Sequence, residues 1–202
     1  MSIAALKSGP RKASAPLPRP YSWQVDEFQR AREANVWDGH KVLLIDGELI
    51  EMPAAKPPHD ISLTLAYRTF SKIFDDTHVV RIQMGMVFNI NTDPIPDLAV
   101  VPGDPRTMVA TPTSAVFVPE VSESSLAFDT REKASLYAAA AIADYWVVDV
   151  VNRQVLVHRS PVSDATAKYG SAYSSVTALS PGQSLAPLAA PQRAVDPAEI
   201  LV

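Results

Sequence analysis

Apolar positions along this chain change their period several times, and each change marks a candidate element. Residues 22–35, SWQVDEFQRAREAN, suit a short helix that Ser22 or Asp26 can cap. HKVLLIDGELIEM (40–52) places two short apolar strands around an Asp-Gly turn, the signature of a hairpin. After the break at Pro57–Pro58, Ile61, Leu65, Phe70 and Ile73–Phe74 recur at near-helical spacing, which predicts a helix over about 59–75. HVVRIQMGMVFNI (78–90) suits one long strand. PDLAVV (96–101) and AVFVPEVS (115–122) are continuously apolar, as in strands buried on both faces. DTREKASLYAAAAIA (129–143) is the clearest helix: Asp129 stands at its N-cap, Glu132 follows in a capping-box pattern, and the body is rich in Ala. DYWVVDVVNRQVLVHRS then reads as two strands joined by a tight turn at Asn152–Arg153, and the tail as one further strand with a Pro-broken end. No internal repeat is visible. This order predicts an α/β fold, a mixed sheet flanked by helices, in one domain over 21–202.

Composition narrows the class. The chain has 202 residues, 47% of them hydrophobic, enough for one ordinary core. It has no Cys, hence no disulfide framework and no thiolate metal site. No run approaches the roughly 18 apolar residues of a membrane span, and the N-terminus lacks the apolar stretch of a signal peptide, so a cytoplasmic protein is expected. Residues 1–20 hold four prolines and read as a flexible basic leader. The net charge of −4 is uneven: Lys7, Arg11, Lys12 and Arg19 precede the first acidic residue, leaving 14 basic against 22 acidic residues, or −8, beyond them. That balance counts against a tight stand-alone duplex-binding protein, whose affinity comes largely from phosphate neutralisation. An enzyme whose carboxylates are neutralised by divalent cations is compatible with it.

Two acidic residues carry candidate chemistry. Asp97 opens one apolar strand in DPIPDLAVV, and Glu120 lies inside another in VFVPEVSESS. Side by side, those strands would bring both carboxylates to one edge of a sheet. Mg²⁺ keeps several waters, so two or three carboxylates are enough to hold it for phosphodiester hydrolysis. Asp after Pro is also common turn chemistry, and a strand-end Glu can face solvent. Glu120 nevertheless stands in an apolar run, where a buried charge is costly unless it is paired or metal-bound. A nuclease of this kind usually carries a lysine two positions after the glutamate, where this chain has Ser122. Lys133 lies one turn into the next helix with Tyr137 on the same face, and the short connection lets it reach over the end of the Glu120 strand. Without that context it would be an ordinary solvated lysine.

From Glu120 to Asp149 the sequence closely resembles the Uma-two family of restriction-endonuclease-like proteins, within the PD-(D/E)xK nuclease superfamily. The resemblance rests on Glu120–Val121, the serines from Ser122 to Ser125, the four-residue steps Asp129, Lys133 and Tyr137, and DYWVVD. Upstream, Pro96–Asp97–Leu98, LIDGEL with Glu48, and Pro58–His59 match in order and spacing. It covers the chain from about residue 21 to the end. The departures are Ala141, where the family usually has Gly, and Asp144, where it has Glu. The resemblance implies a restriction-endonuclease-like core, Asp97 and Glu120 as metal ligands for Mg²⁺ or Mn²⁺, and Lys133 acting on the attacking water or the phosphate. It further implies Glu48 as a third acidic group, unless that residue is only a surface position of the hairpin. His59 either contacts the site or caps and packs its helix. Asp129 is read as a cap, Trp146 as core and Asp149 as a strand-end residue. DNA is the implied substrate and a homodimer the implied assembly. The alternative is a catalytically silent module of the same fold that binds without cleaving. Hydrolysis of another phosphate ester is a third reading.

Overall fold

In the computed structural model, residues 18–74 and 76–202 are described. The greater part of the predicted leader, residues 1–17, lies outside them. Helix α1 (Val25–Glu33) follows Gln24, whose N–H donates to Glu27, so neither Ser22 nor Asp26 caps it. Ser22 instead packs on Gly47, where a Cβ would collide with it. Gly47 (φ 79°) and Asp46 (φ 51°) form the turn of the hairpin β1 (Lys41–Ile45) and β2 (Glu48–Met52). Helix α2 (Pro57–Ile73) starts on its two prolines, whose missing N–H groups cost nothing in a first helical turn.

Strand β3 (His78–Ile82) pairs antiparallel with β4 (Leu98–Pro102). The long strand expected over 78–90 stops at Ile82 because Gln83 adopts the left-handed region (φ 48°) and the chain doubles back, Met86 N–H donating to Pro94 and Phe88 N–H to Thr92. Strand β5 (Val118–Ser122) pairs parallel with β6 (Asp144–Asp149), and β6, β7 (Gln154–Ser163) and β8 (Ser171–Leu179) continue antiparallel. The parallel β5–β6 pair needs a crossover, supplied by α3 (Leu126–Phe128), a π-helical turn (Asp129–Lys133) and α4 (Ala134–Ala139). The helix therefore begins before Asp129, and Asp129 is a buried residue of the π-helical turn, not its cap.

An antiparallel bridge, Val100 opposite Phe117, joins β4 to the edge of β5. Pleating divides the apolar residues between two faces. Phe117, Val121, Trp146 and Val148 pack with Leu63, Ala66 and Phe70 of α2. Ala99, Val101, Val118, Tyr145 and Val147 pack with Ala134 and Tyr137 of the crossover helix. Among the described residues no helix is long and apolar enough to cross a membrane.

The crossover helix ends in a Schellman arrangement, Ile142 N–H donating to Tyr137 and Ala141 N–H to Ala138. Ala141 is exposed and takes φ 57°, which costs a Cβ-bearing residue about 1–2 kcal/mol. Glycine relieves that strain but has more unfolded-state entropy to lose. Ala141→Gly is expected to raise stability by roughly 0.5–1 kcal/mol in urea unfolding.

Candidate active site

The strand register explains why Asp97 and Glu120 meet. Stepping three residues back from Val100 and three on from Phe117 sets Asp97 opposite Glu120. Asp97 N–H donates to Glu120 Oε2 at 3.0 Å, and Val121 N–H donates to Asp97 Oδ2 at 3.1 Å. Pleat alternation turns both side chains to the face shared by Ala99, Val101 and Val118, toward the crossover helix.

That helix delivers two donors to Glu120 from positions four residues apart. Lys133 Nζ lies 3.0 Å from Glu120 Oε1, and Tyr137 Oη donates to the same oxygen at 2.7 Å. Lys133 also lies 3.0 Å from Asp129 Oδ1, and Asp129 Oδ2 accepts from Ser125 Oγ at 2.5 Å. Ser122 is buried on the Glu120 side of the strand, with its hydroxyl 3.4 Å from that of Ser125. A polar cluster thus fills the space beyond Glu120.

Asp97 has its own partners. Lys41 Nζ stands 3.0 Å from Oδ1, His59 Nε2 is 3.2 Å from Oδ2, and the Gln83 amide reaches Oδ1 at 3.5 Å. Lys41 is the first residue of β1, in phase with buried Leu43 and Ile45, which pack with Leu136 of the crossover helix. His59 comes from the first turn of α2, and Gln83 from the residue that ends β3. These side chains line one cleft of about 490 Å³ with Lys133, while Lys56 and Glu123 pair at 3.2 Å at its rim.

The cleft's electrostatics follow from three buried carboxylates around one buried lysine. Burial works against the charge of Asp97, but the His59 hydrogen bond and the charges of Lys41 and Lys133 hold it well below the usual range. Burial pushes Glu120 up to about 7 against the pull of Lys133, with Asp97 and Asp129 adding to the rise. Lys133 is held above its ordinary value because Glu120 and Asp129 outweigh its desolvation.

Of the residues singled out from sequence, Asp97, Glu120 and Lys133 converge: Asp97 and Lys133 line the cleft, and Glu120 is fully buried in contact with both. Glu48 does not: it is exposed, pairs with Ile45 beside the hairpin turn, and lies at the opposite end of β2 from Met52, which lines the cleft. A metal-ligand role for Glu48 is corrected on that geometry. Glu51 is the β2 acid on the cleft wall, 2.6 Å from His40. His59 reaches the site. Asp149 is buried at the end of β6 and accepts from Asn152 and Gln154 around the hairpin turn. Sequence reasoning missed Lys41 and Gln83. The signal for Lys41 was a lysine in phase with the buried row of its strand; for Gln83 no local signal existed.

Comparison with known proteins agrees with this fold. The Uma2 family model, described as "Putative restriction endonuclease", matches residues 25–196. No curated protein matches the chain. Among solved structures, one from Anabaena variabilis ATCC 29413, described as "a putative nuclease belonging to DUF820", superposes with a TM-score of 0.64 at 11% identity. It covers 88% of this chain and 97% of its own, which is a likeness of fold.

Two outcomes test the geometry. Lys133→Met leaves buried carboxylates uncompensated and is expected to cost about 3–5 kcal/mol in urea unfolding; adding Glu120→Gln should shrink that loss. The hydrogen bond to Asp97 raises the pKa of His59 above its ordinary 6.5. Its contribution is fully present below that value and is lost as pH rises through the raised one. The depressed Asp97 contributes above the ordinary 3.8 and loses its share as pH falls. The melting-temperature advantage of the wild type over His59→Gln should therefore peak near about pH 5 and shrink by about pH 8.

Proposed function

The chain belongs to the Uma2 family of restriction-endonuclease-like proteins, and from that premise and the cleft we propose that it is a metal-dependent endonuclease hydrolysing DNA phosphodiester bonds. The observation that carries this reading is the reciprocal contact of Asp97 and Glu120, two buried carboxylates at adjoining strand ends with a buried lysine on one of them. Among the described residues no three acidic or imidazole groups form a ready-made metal cage. Mg²⁺ does not require one, since it is commonly held by one or two carboxylates with waters and substrate phosphate completing its shell. The donor set fits in kind as well: Asp97 and Glu120 bring carboxylate oxygens together at adjoining strands, the hard ligands that Mg²⁺ takes.

Asp97 and Glu120 are the residues that would hold Mg²⁺ or Mn²⁺. Such an ion polarises the phosphodiester and acidifies a bound water. The protein's own part is orientation. Tyr137, Lys133 and the Asp97 N–H fix the Glu120 carboxylate through both oxygens, and the Val121 N–H and His59 fix Asp97. Two such sites on one duplex call for two copies of the chain, so a homodimer is part of the proposal. A cytoplasmic location is carried with it.

One observation favours the alternative of a binding module that cuts nothing: Lys41 and His59 already occupy Asp97. The two readings separate in a plasmid assay. Wild type is expected to nick supercoiled DNA in Mg²⁺ or Mn²⁺ and to stop in EDTA. Asp97→Asn and Glu120→Gln should each fall at least about 100-fold while keeping the wild-type circular dichroism spectrum. DNA binding without nicking in any divalent ion would select the binding module.

A further inference from the structure

The two lysines of the cleft are held in opposite ways. Lys133 is 3% exposed and lies between two buried carboxylates, Glu120 and Asp129, at 3.0 Å from each. Moving its ammonium to a ligand would leave both without their shared cation, a large cost in a dry environment. Lys41 is 31% exposed and has a single carboxylate partner, Asp97 Oδ1. If Lys41 turns away, Asp97 still accepts from His59 Nε2, Val121 N–H and the Gln83 amide. Its backbone is fixed by the β1–β2 ladder and by the packing of Leu43 and Ile45 in the same row, so the free movement is in the side chain alone.

Resting on the nuclease reading above, we infer that Lys41 is the cation that contacts the substrate's phosphate, exchanging Asp97 for a phosphate oxygen. Lys133 is then a positioning residue that keeps Glu120 aimed. The chemistry recognised is a singly charged phosphodiester, met by one ammonium whose carboxylate partner keeps other donors after it leaves. Lys56, paired with Glu123 at the rim, lies farther out and is 61% exposed.

The test is binding of a fluorescently labelled single-stranded oligonucleotide, read by anisotropy over a series of salt concentrations with Ca²⁺ and with EDTA, alongside nicking in Mg²⁺. Lys41→Ala is expected to weaken binding about tenfold and to reduce the log–log salt slope by about 0.7, the share of one single-strand phosphate contact. Its melting temperature should stay close to wild type, and Lys41→Arg should restore most of the slope. If wild type binds and nicks but Lys41→Ala keeps the full slope, the inference is overturned and the nuclease reading stands. Loss of activity with a full slope and a lowered melting temperature would make Lys41 structural, which also overturns it. If wild type neither binds nor nicks, the nuclease reading itself has failed and this inference falls with it.

Discussion

A carboxylate with no exposed surface, Glu120, sets the terms for everything around it. Burying that charge is affordable only if donors surround it, and the fold supplies three: the Lys133 ammonium, the Tyr137 hydroxyl and the Asp97 N–H. Each donor comes from a different constraint. The Asp97 N–H is there because β4 runs antiparallel to β5 in one register only; a slip of one residue would turn Glu120 away from the crossover helix. Lys133 and Tyr137 are there because they sit one helical turn apart, and because the parallel β5–β6 pair forces a helix over the end of β5. Strand order, register and helix phase are thus tied to one charged group.

Lys133 couples the second half of the cluster. By pairing with Asp129 as well as Glu120 it links the π-helical turn to the strand end, and the Ser125 hydroxyl holds the far side of Asp129. π-Helical turns are rare, and they concentrate at functional sites. Here the wider turn contains both members of the Asp129–Lys133 pair. A lysine placed two residues after Glu120 would have come from the strand. In this chain that position holds a small serine, and the helix brings the ammonium in from above.

The sequence made the framework legible where pattern and packing agree. The Asp-Gly hairpin, the helix after Pro57–Pro58 and the two apolar strands bearing Asp97 and Glu120 all fall within a few residues of their expected places. So does the convergence of Asp97, Glu120 and Lys133, since the family resemblance carried their spacing. What local pattern missed is long-range. The apolar run after Ile82 looks like strand, but the left-handed Gln83 and the return of the chain toward Pro94 end it. Asp129 carries a capping-box spacing, yet the helix starts upstream and buries it for its charge. Lys41 and His59 reach Asp97 from elements 56 and 38 residues away in sequence, a meeting that no window along the chain contains.

Charge gives the proposed metal dependence its electrostatic reason. Lys41, Lys56 and Lys133 line the cleft against Glu51, Asp97 and Glu123, with Glu120 buried against Asp97 and Lys133, so the lysines alone do not outnumber the carboxylates. The chain beyond its basic N-terminus is also acidic, so it offers a phosphate little long-range attraction. A phosphodiester entering this cleft meets near-neutrality at best. Added positive charge at Asp97 and Glu120 would change that balance in two places at once: it would offset the carboxylates, and it would compete with Lys41 for Asp97. The ammonium so released would lie beside the arriving phosphate. On this view the ion pairs that keep the cleft neutral are the same contacts that a cation and a substrate would rearrange.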